Sequence, residues 1–376
     1  MTTLSERISQ SAFDGSRLRV VLLVDLHDGA QQEFLAAYEH MRNQVASVPG
    51  HLSDQLCQSI ENPSQWLITS EWESAPPFIE WVNSEEHIDV VRPLHSCVRD
   101  TRSLRFSVLR ETGKIHTEAR AAELGGSLQP SARMGDGVVR HALTFTVKPG
   151  SEEVVAEILA NYKSPESRVD DNTRLRRTTL FMHRNRVIRA VEVQGDLLAA
   201  LRHVARQPEV QALEEAINPY LEQYRDLNDQ ESARMFFTRS SLPAVHHLAA
   251  VGSEHPDVER HALYYPAKQG CGMALARLLA RQDEAAAHES SGSIESSTIF
   301  LRDDIVIRLV DVRGGLDADP LRAGGAHGPR KVAMLARLLD DDAFGDASSA
   351  TEEDMLLFLK RAEMRLITDR RAPAGP

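Results

Sequence analysis

RHALTFTVKPG at residues 140–150 and RHALYYPAKQG at residues 260–270 share six identities in eleven positions at an offset of 120. Self-similarity at a fixed period is the mark of a repeated structural unit. The order continues downstream, where TTLFMHRNRVIRAVEVQG (178–195) aligns with STIFLRDDIVIRLVDVRG (297–314) at an offset of 119. A fainter copy precedes both. Arg19, Leu22 and Gly29 fall 121 residues before Arg140, Leu143 and Gly150, and WLITSEWES (66–74) falls 121 before VIRAVEVQG (187–195).

Each copy alternates period-2 apolar runs with period-3.6 stretches, in the order strand, helix, two strands, helix, strand. In the first copy LRVVLLVDL (18–26) is a strand and a helix follows Gly29. Strands then lie near 51–59 and 65–73, a helical region at 76–96 and a last strand near 103–110. Phe34, Tyr38, Met41, Val45 and Val48 form one helical stripe that Pro49 and Gly50 stop, and it reads as core packing. The order βαββαβ specifies an α+β fold of three tandem ferredoxin-like units, each an antiparallel sheet with both helices on one face. The bare sheet face needs cover. Packing two units sheet to sheet gives an α/β barrel of the dimeric type, and three units per chain leave one to pair with a second chain, so a homodimer is expected.

The expected boundaries are a disordered N-terminus at 1–17, a first unit at 18–110, a polar, Gly-rich linker at 111–137 and a second unit at 138–240. A Pro-containing linker at 241–258, a third unit at 259–370 and a tail at 371–376 complete the chain. RGGLDADPLRAGGAHGPR (313–330) interrupts the third copy, so its second helix is expected to be shortened or displaced.

Composition narrows the function. At 376 residues the chain is multi-domain, and 43 Lys+Arg against 55 Asp+Glu give a formal charge of −12, which argues against nucleic acid and anionic membranes as partners. Cys57, Cys97 and Cys271 include no CxxC, so neither a zinc ribbon nor a disulfide framework is read, and a reducing cytoplasm is the expected location. The start lacks a signal peptide's apolar core, and no stretch approaches roughly 18 apolar residues. GxGxxG after a strand, a Walker loop, GxSxG and HExxH are all missing, so no nucleotide, flavin or metal site is expected.

Alternation in the third strand of each copy puts Trp66, Ile68, Ser70 and Trp72 on one face. The equivalents are Val187, Arg189, Val191 and Val193, then Val306, Arg308, Val310 and Val312. Arg189 and Arg308 either pair with a neighbouring-strand carboxylate or a solvated edge, or project into a cavity to bind a phenolate or enolate oxygen. His141 and His261 open equivalent strands, bonded to backbone or acting as pocket acid/base groups. Arg174, Arg176 and Arg177 read as a solvated basic face, with Arg177 kept as a candidate substrate contact. His246 and His247 read as solvated linker residues.

WLITSEW (66–72), followed by Phe78, Trp81 and His87, resembles antibiotic-biosynthesis monooxygenase domains. HLSDQLCQSIENPSQWLITSEW (51–72), RHALTFTVKPG, RRTTLFMHRNRVIRAVEV (176–193) and STIFLRDDIVIRLVDV (297–312) resemble the SchA/CurD-like family of aromatic-polyketide and spore-pigment biosynthesis proteins. The resemblance implies tailoring in a bacterial type II polyketide pathway, as a hydroxylase or quinone-forming monooxygenase. The substrate would be an aromatic polyketide, molecular oxygen the co-substrate, and no flavin, haem or metal the cofactor. A polyketide cyclase, or a non-catalytic stabilising subunit touching synthase or cyclase components, is the alternative, and haem binding a third reading. By resemblance, Trp66 and Trp72 match the strand aromatics, Asn62 the polar position before them and His87 the helix histidine. Copies two and three lack both tryptophans.

Cofactor-free oxygenation needs a base near neutral pKa, a partner for the substrate anion and an apolar wall. His87, His51 and His141 are the candidate bases, Asn62 a donor, and Trp66 and Trp72 a wall or ordinary core residues. The active pocket is expected in copy one, or failing that copy two, with copy three mainly structural.

Overall fold

The computed structural model describes residues 7–108, 137–223, 225–250, 257–287, 293–345 and 350–372. They fall into two compact units, one comprising Ala12–Met134 and the other Met1–Ser11 with Gly135–Pro376. The first strand, β1 (Arg7–Ser11), belongs to the second of these.

The N-terminal unit runs β2 (Leu18–Leu26), α1 (Gln31–Val45), β3 (His51–Gln58), β4 (Gln65–Trp72), α2 (Ala75–Asn83), α3 (Glu85–His95) and β5 (Val98–Ser107). Its antiparallel sheet has the order β3-β4-β2-β5. Phe34 and Tyr38 bury the stripe of α1 against Val24, Leu26, Trp66 and Ile68, and Val45 is buried at its end. The helical region expected at 76–96 is two helices. Ser84 turns extended and ends α2, then caps α3 by accepting the His87 N–H on its Oγ at 3.0 Å.

The C-terminal unit runs β6 (Val138–Thr146), α4 (Glu152–Asn161), β7 (Arg174–His183), β8 (Arg186–Gln194), α5 (Leu197–Ala205), α6 (Pro208–Ile217), α7 (Gln230–Ser240) and β9 (Ser241–Ala250). It continues through β10 (Val258–Pro266), α8 (Gly272–Ala287), β11 (Ile294–Arg302), β12 (Ile305–Arg313), α9 (Pro320–Ala323), α10 (Pro329–Ala336), α11 (Asp341–Phe344), α12 (Glu352–Ala362) and β13 (Arg365–Arg371). The strand order is β10-β12-β11-β9-β6-β8-β7-β13, with β1 added on β9. A Leu263–Glu363 bridge and a 2.9 Å bond from Met364 N to Ala262 O bring β13 back to β10 and close the ring. The closing strands are exchanged: β9 starts beside β6 and continues on β11, and β13 starts beside β10 and continues on β7.

Alternation puts Ala142, Phe181, Ile188, Ala190, Ala262, Ile307 and Leu309 in a shared apolar core. Further along the same strand faces lies a buried ion network. Arg260 grips Asp311 with Nε and Nη2, both at 2.7 Å, and reaches Glu192 Oε1 at 2.7 Å through Nη1. Arg177 grips Asp369 at 2.7 and 2.5 Å and reaches Asp311 at 3.3 Å. The bonds to Asp369, the Arg177–Asp311 bond and the Arg260–Glu192 bond join strands of the second sequence copy to strands of the third.

The structure corrects two sequence expectations. Residues 241–250 are a strand, not linker: β9 is paired along its length, and Leu242, Val245 and Leu248 are buried although Pro243 and two histidines disguise the pattern. Residues 7–11 of the supposedly disordered N-terminus pair with His246–Ala250. The interruption expected in the third copy takes the form of four helices, α9 to α12, preceded by a 3-10 turn at Leu316–Ala318, where the glycines and prolines of 313–330 break the helical region. Of the expected linker at 111–137, residues 111–136 lie outside the described residues.

One close approach dictates its residue. A Cβ on Gly272, the first residue of α8, would stand 1.9 Å from the Asp303 carbonyl oxygen, a backbone atom that cannot swing aside. Gly272→Ala is expected to cost about 1–3 kcal/mol in urea unfolding, and an unchanged midpoint would contradict the packing of α8 on the β11–β12 turn.

Candidate active site

The helix-facing side of the N-terminal sheet gathers two tryptophans, a histidine, a carboxylate and a tyrosine. Pleating turns Trp66, Ile68, Ser70 and Trp72 toward the helices, where both tryptophans are buried. Their N–H groups are occupied, Trp66 Nε1 by the Pro63 carbonyl and Trp72 Nε1 by Ser70 Oγ, each at 3.0 Å. They therefore present ring faces and edges, not donors.

Opposite Trp72, β3 has a bulge between His51 and Ser53. Strict alternation would send His51 and Asp54 to opposite faces; the extra residue puts both on the helix side. His51 packs edge-on to Trp72, centroids 5.1 Å apart, and Trp72 in turn meets Phe78 at 5.4 Å. His51 Nε2 stands 3.8 Å from Asp54 Oδ1, while the Tyr38 hydroxyl donates to Asp54 Oδ2. Burial lowers the His51 pKa and the Asp54 charge opposes it in part, leaving an imidazole below its ordinary value. Burial and the bond to Asp54 raise the Tyr38 pKa, so its proton stays on and holds the carboxylate. A neutral imidazole beside a fixed carboxylate and an indole wall has the chemistry to accept a proton in an apolar setting. Asp54 and Tyr38 are the residues that sequence reasoning missed.

Asn62 and His87 sit elsewhere in this unit. Asn62 is exposed in the β3–β4 turn, its Oδ1 accepting from Ser64 N at 3.1 Å and Ser64 Oγ at 2.9 Å, so it shapes the turn. His87 packs edge-on to Trp81 at 5.2 Å, and burial, then the nearby His95, push its pKa down to about 4. It is therefore a weak base.

In the C-terminal unit both strand arginines point toward helices and find carboxylates there, from helices and not from the neighbouring strand. Arg189 Nη1 reaches Glu214 of α6 at 2.6 Å, and Glu214 also binds Arg225 at 2.8 Å. Arg308 pairs with Asp283 of α8. Arg177 is buried in the ion network, which corrects its reading as a solvated face. His246 and His247 are buried too, with His247 Nδ1 2.9 Å from Thr298 Oγ1, because β9 lies inside the ring and not in a linker. His141 Nε2 is 3.4 Å from Ser241 Oγ. Among the described residues no group of three or more His, Cys, Asp or Glu could hold a metal ion, and no helix is long and apolar enough to cross a membrane.

His261 sits where the ring closes, Nδ1 2.9 Å from Glu363 Oε1. That hydrogen bond raises its pKa against the opposing effect of burial. A pKa raised by folding adds stability below the unfolded value, 6.5, and the gain is lost as pH climbs through the folded value. The wild type is thus expected to lose urea resistance between about pH 6 and 8 relative to His261→Asn, and parallel curves would contradict the contact.

Comparison with known proteins adds identity to this geometry. Residues 17–93 match the antibiotic biosynthesis monooxygenase family and residues 138–250 the SchA/CurD like domain. A Streptomyces cyaneus protein described as polyketide synthase CurD is 63% identical over 371 residues, 98% of this chain and 99% of its own. The chain belongs to the SchA/CurD-like family. Protein SchA of Streptomyces halstedii, another SchA/CurD-like relative, is 56% identical over 375 residues, 100% of this chain and 98% of that protein. Among solved structures, SnoaB of Streptomyces nogalater, described as a cofactor-independent oxygenase, matches at 16% identity and TM-score 0.24, over 26% of this chain and 96% of SnoaB. The SchA/CurD like match runs to residue 250, and so includes β9 with His246 and His247.

Proposed function

We propose that the chain is a cofactor-independent, quinone-forming monooxygenase acting on an aromatic polyketide of a bacterial type II pathway, with its active site in the N-terminal unit. The observation that carries this is the part-buried His51–Asp54–Tyr38 set against Trp72, within the stretch that matches the monooxygenase family. His51 takes a proton from an activated ring methylene, as in an anthrone, and the electron-rich anion passes electrons to oxygen. The balance is CH2 + O2 → C=O + H2O: two C–H bonds break, one oxygen atom enters the product and the other leaves as water. Carbon supplies all four electrons, so no outside reductant is needed. Trp66 and Trp72 wall the anion from water, which keeps the electrostatic help of the site undiluted.

The three sequence copies are, in this reading, versions of one βαββαβ unit. Copies two and three pair with each other in the manner of a dimeric α/β barrel, and the N-terminal copy pairs with that of a second chain, making a cytoplasmic homodimer. Leu23, Leu52 and Phe106, exposed on the N-terminal unit, support such pairing.

A second reading has its own support. The relative at 63% identity carries the description of a polyketide synthase, which favours a cyclase or stabilising subunit in contact with synthase components. Reconstitution with a minimal synthase separates the two. Oxygen uptake matching quinone formed, with no nicotinamide or flavin added, is the outcome of the first reading. Altered ring closure with no oxygen consumed is the outcome of the second and overturns the first.

A further inference from the structure

One guanidinium on the helix-facing side of the N-terminal sheet has no counter-charge among the described residues. Arg105 lies on β5, and the strand registers set Asp54, Ser70, Val20 and Arg105 opposite one another across β3, β4, β2 and β5. Directly opposed residues share a sheet face, so this row lies on the same side as Trp72 and His51. The guanidinium carbon of Arg105 stands 5.2 Å from the centroid of the Phe78 ring, which Trp72 meets in turn, so Arg105 adjoins the same aromatic wall. Among the described residues no carboxylate pairs with it and no acceptor takes its N–H groups.

In the C-terminal unit Arg177, Arg189, Arg225, Arg260 and Arg308 each hold a carboxylate. Around Arg105 the surrounding protein lowers the pKa, and no neighbouring charge offsets this. The residue is nonetheless exposed, as are Ser103 and Ser107 on the same face of β5, so the β5 edge of this face is open to a ligand. A partly desolvated cation that solvent can reach, with no anion of its own, is a place for one from outside. The row also carries opposite charges at its two ends. With strands about 4.8 Å apart, roughly 14 Å of sheet separates the position of Asp54 from that of Arg105. Asp54 repels an anionic group beside His51 and Arg105 attracts it, so an acidic ligand lies with its charged end at β5 and its other end at the imidazole. The planar guanidinium fork suits a carboxylate, which it takes with two parallel N–H bonds.

We propose that Arg105 is the carboxylate-binding residue of the N-terminal site, which selects aromatic acids over their neutral counterparts and orients them toward His51. The aromatic class of the ligand and the role of His51 rest on the monooxygenase reading above; the demand for an anion comes from Arg105. All three tryptophans, Trp66, Trp72 and Trp81, stand in this unit, so quenching of their fluorescence in the full chain reports binding there. The probes are anthraquinone-2-carboxylate and the uncharged anthraquinone-2-carboxamide. The wild type is expected to bind the acid about tenfold or more tighter than the amide, and Arg105→Gln to lose that preference by weakening the acid alone. Arg105→Lys, which keeps the charge and loses the fork, should retain only part of it. Equal affinity of the wild type for acid and amide, no binding of the acid, or an acid preference that survives Arg105→Gln would each overturn the proposal. Should Arg105→Gln not fold, an undiminished preference in Arg105→Lys would overturn it instead. Oxygen uptake by the wild type with a neutral anthrone is measured separately. Failure of that uptake with the acid preference intact leaves Arg105 an anion-binding residue, and loss of the preference with uptake intact removes Arg105 alone.

Discussion

Asp311→Ala is expected to destabilise the C-terminal unit by about 3–5 kcal/mol, enough to unfold much of it in mild urea. Asp311 accepts both forks of Arg260, a bond from Arg177 and one from Ser296 Oγ at 2.6 Å, all in a buried setting. Burial pushes its carboxyl pKa up, but the bonds and charge of Arg260, with the charge of Arg177, override this and hold it well below the usual carboxylate range. A carboxyl depressed by folding stabilises above its unfolded value of 3.8 and loses that contribution as pH falls through the folded value. The wild type should therefore show an acid unfolding limb that the variant lacks. Glu71→Ala, which breaks the solvent-facing pair with Arg19, should change stability by less than about 1 kcal/mol. Equal losses in the two variants would mean that the network is not what holds copies two and three together.

The second large effect falls on chemistry. His51→Ala is expected to lower turnover of an anthrone by about a hundredfold or more, with KM little changed, since a base acts on the transition state. Because the imidazole pKa is lowered, the wild-type acid limb of kcat should lie below 6.5, with activity held as pH rises. Asp54→Asn removes the charge that opposes this lowering and should move the limb lower still, a shift that loss of packing alone would not produce. An unmoved acid limb in Asp54→Asn, or full activity in His51→Ala, would remove His51 from the role of base.

The order of strands and helices was readable because each apolar run keeps one period and glycines stop it, as at Gly29 and Gly150. The arginine stripe was readable for the same reason: Arg189 and Arg308 do face helices through otherwise apolar strands. Their partners were not readable. Glu214 lies 25 residues after Arg189 and Asp283 25 residues before Arg308, so equivalent arginines take counter-charges from different helices, which no local pattern records. β9 was hidden because Pro243, His246 and His247 imitate a loop, and only pairing with β11, β6 and β1, all distant in sequence, makes burial of those histidines tolerable. Within the candidate site Trp66, Trp72 and His51 could be named from the sequence, whereas Asp54 could not. Alternation from His51 assigns Asp54 to the wrong face, and the bulge that reverses this has no signature in HLSDQ. Asn62 shows the opposite failure, a residue picked by resemblance that serves its own turn.

The most direct measurement is mass spectrometry of the quinone formed from an anthrone under 18O2 by the purified chain, with no flavin, nicotinamide or metal added. One labelled oxygen atom per quinone, formed at a rate that His51→Ala reduces about a hundredfold, is the expected result. Unlabelled product, or labelled product formed no faster than in buffer without protein, would contradict the assignment of oxygen chemistry to the N-terminal unit.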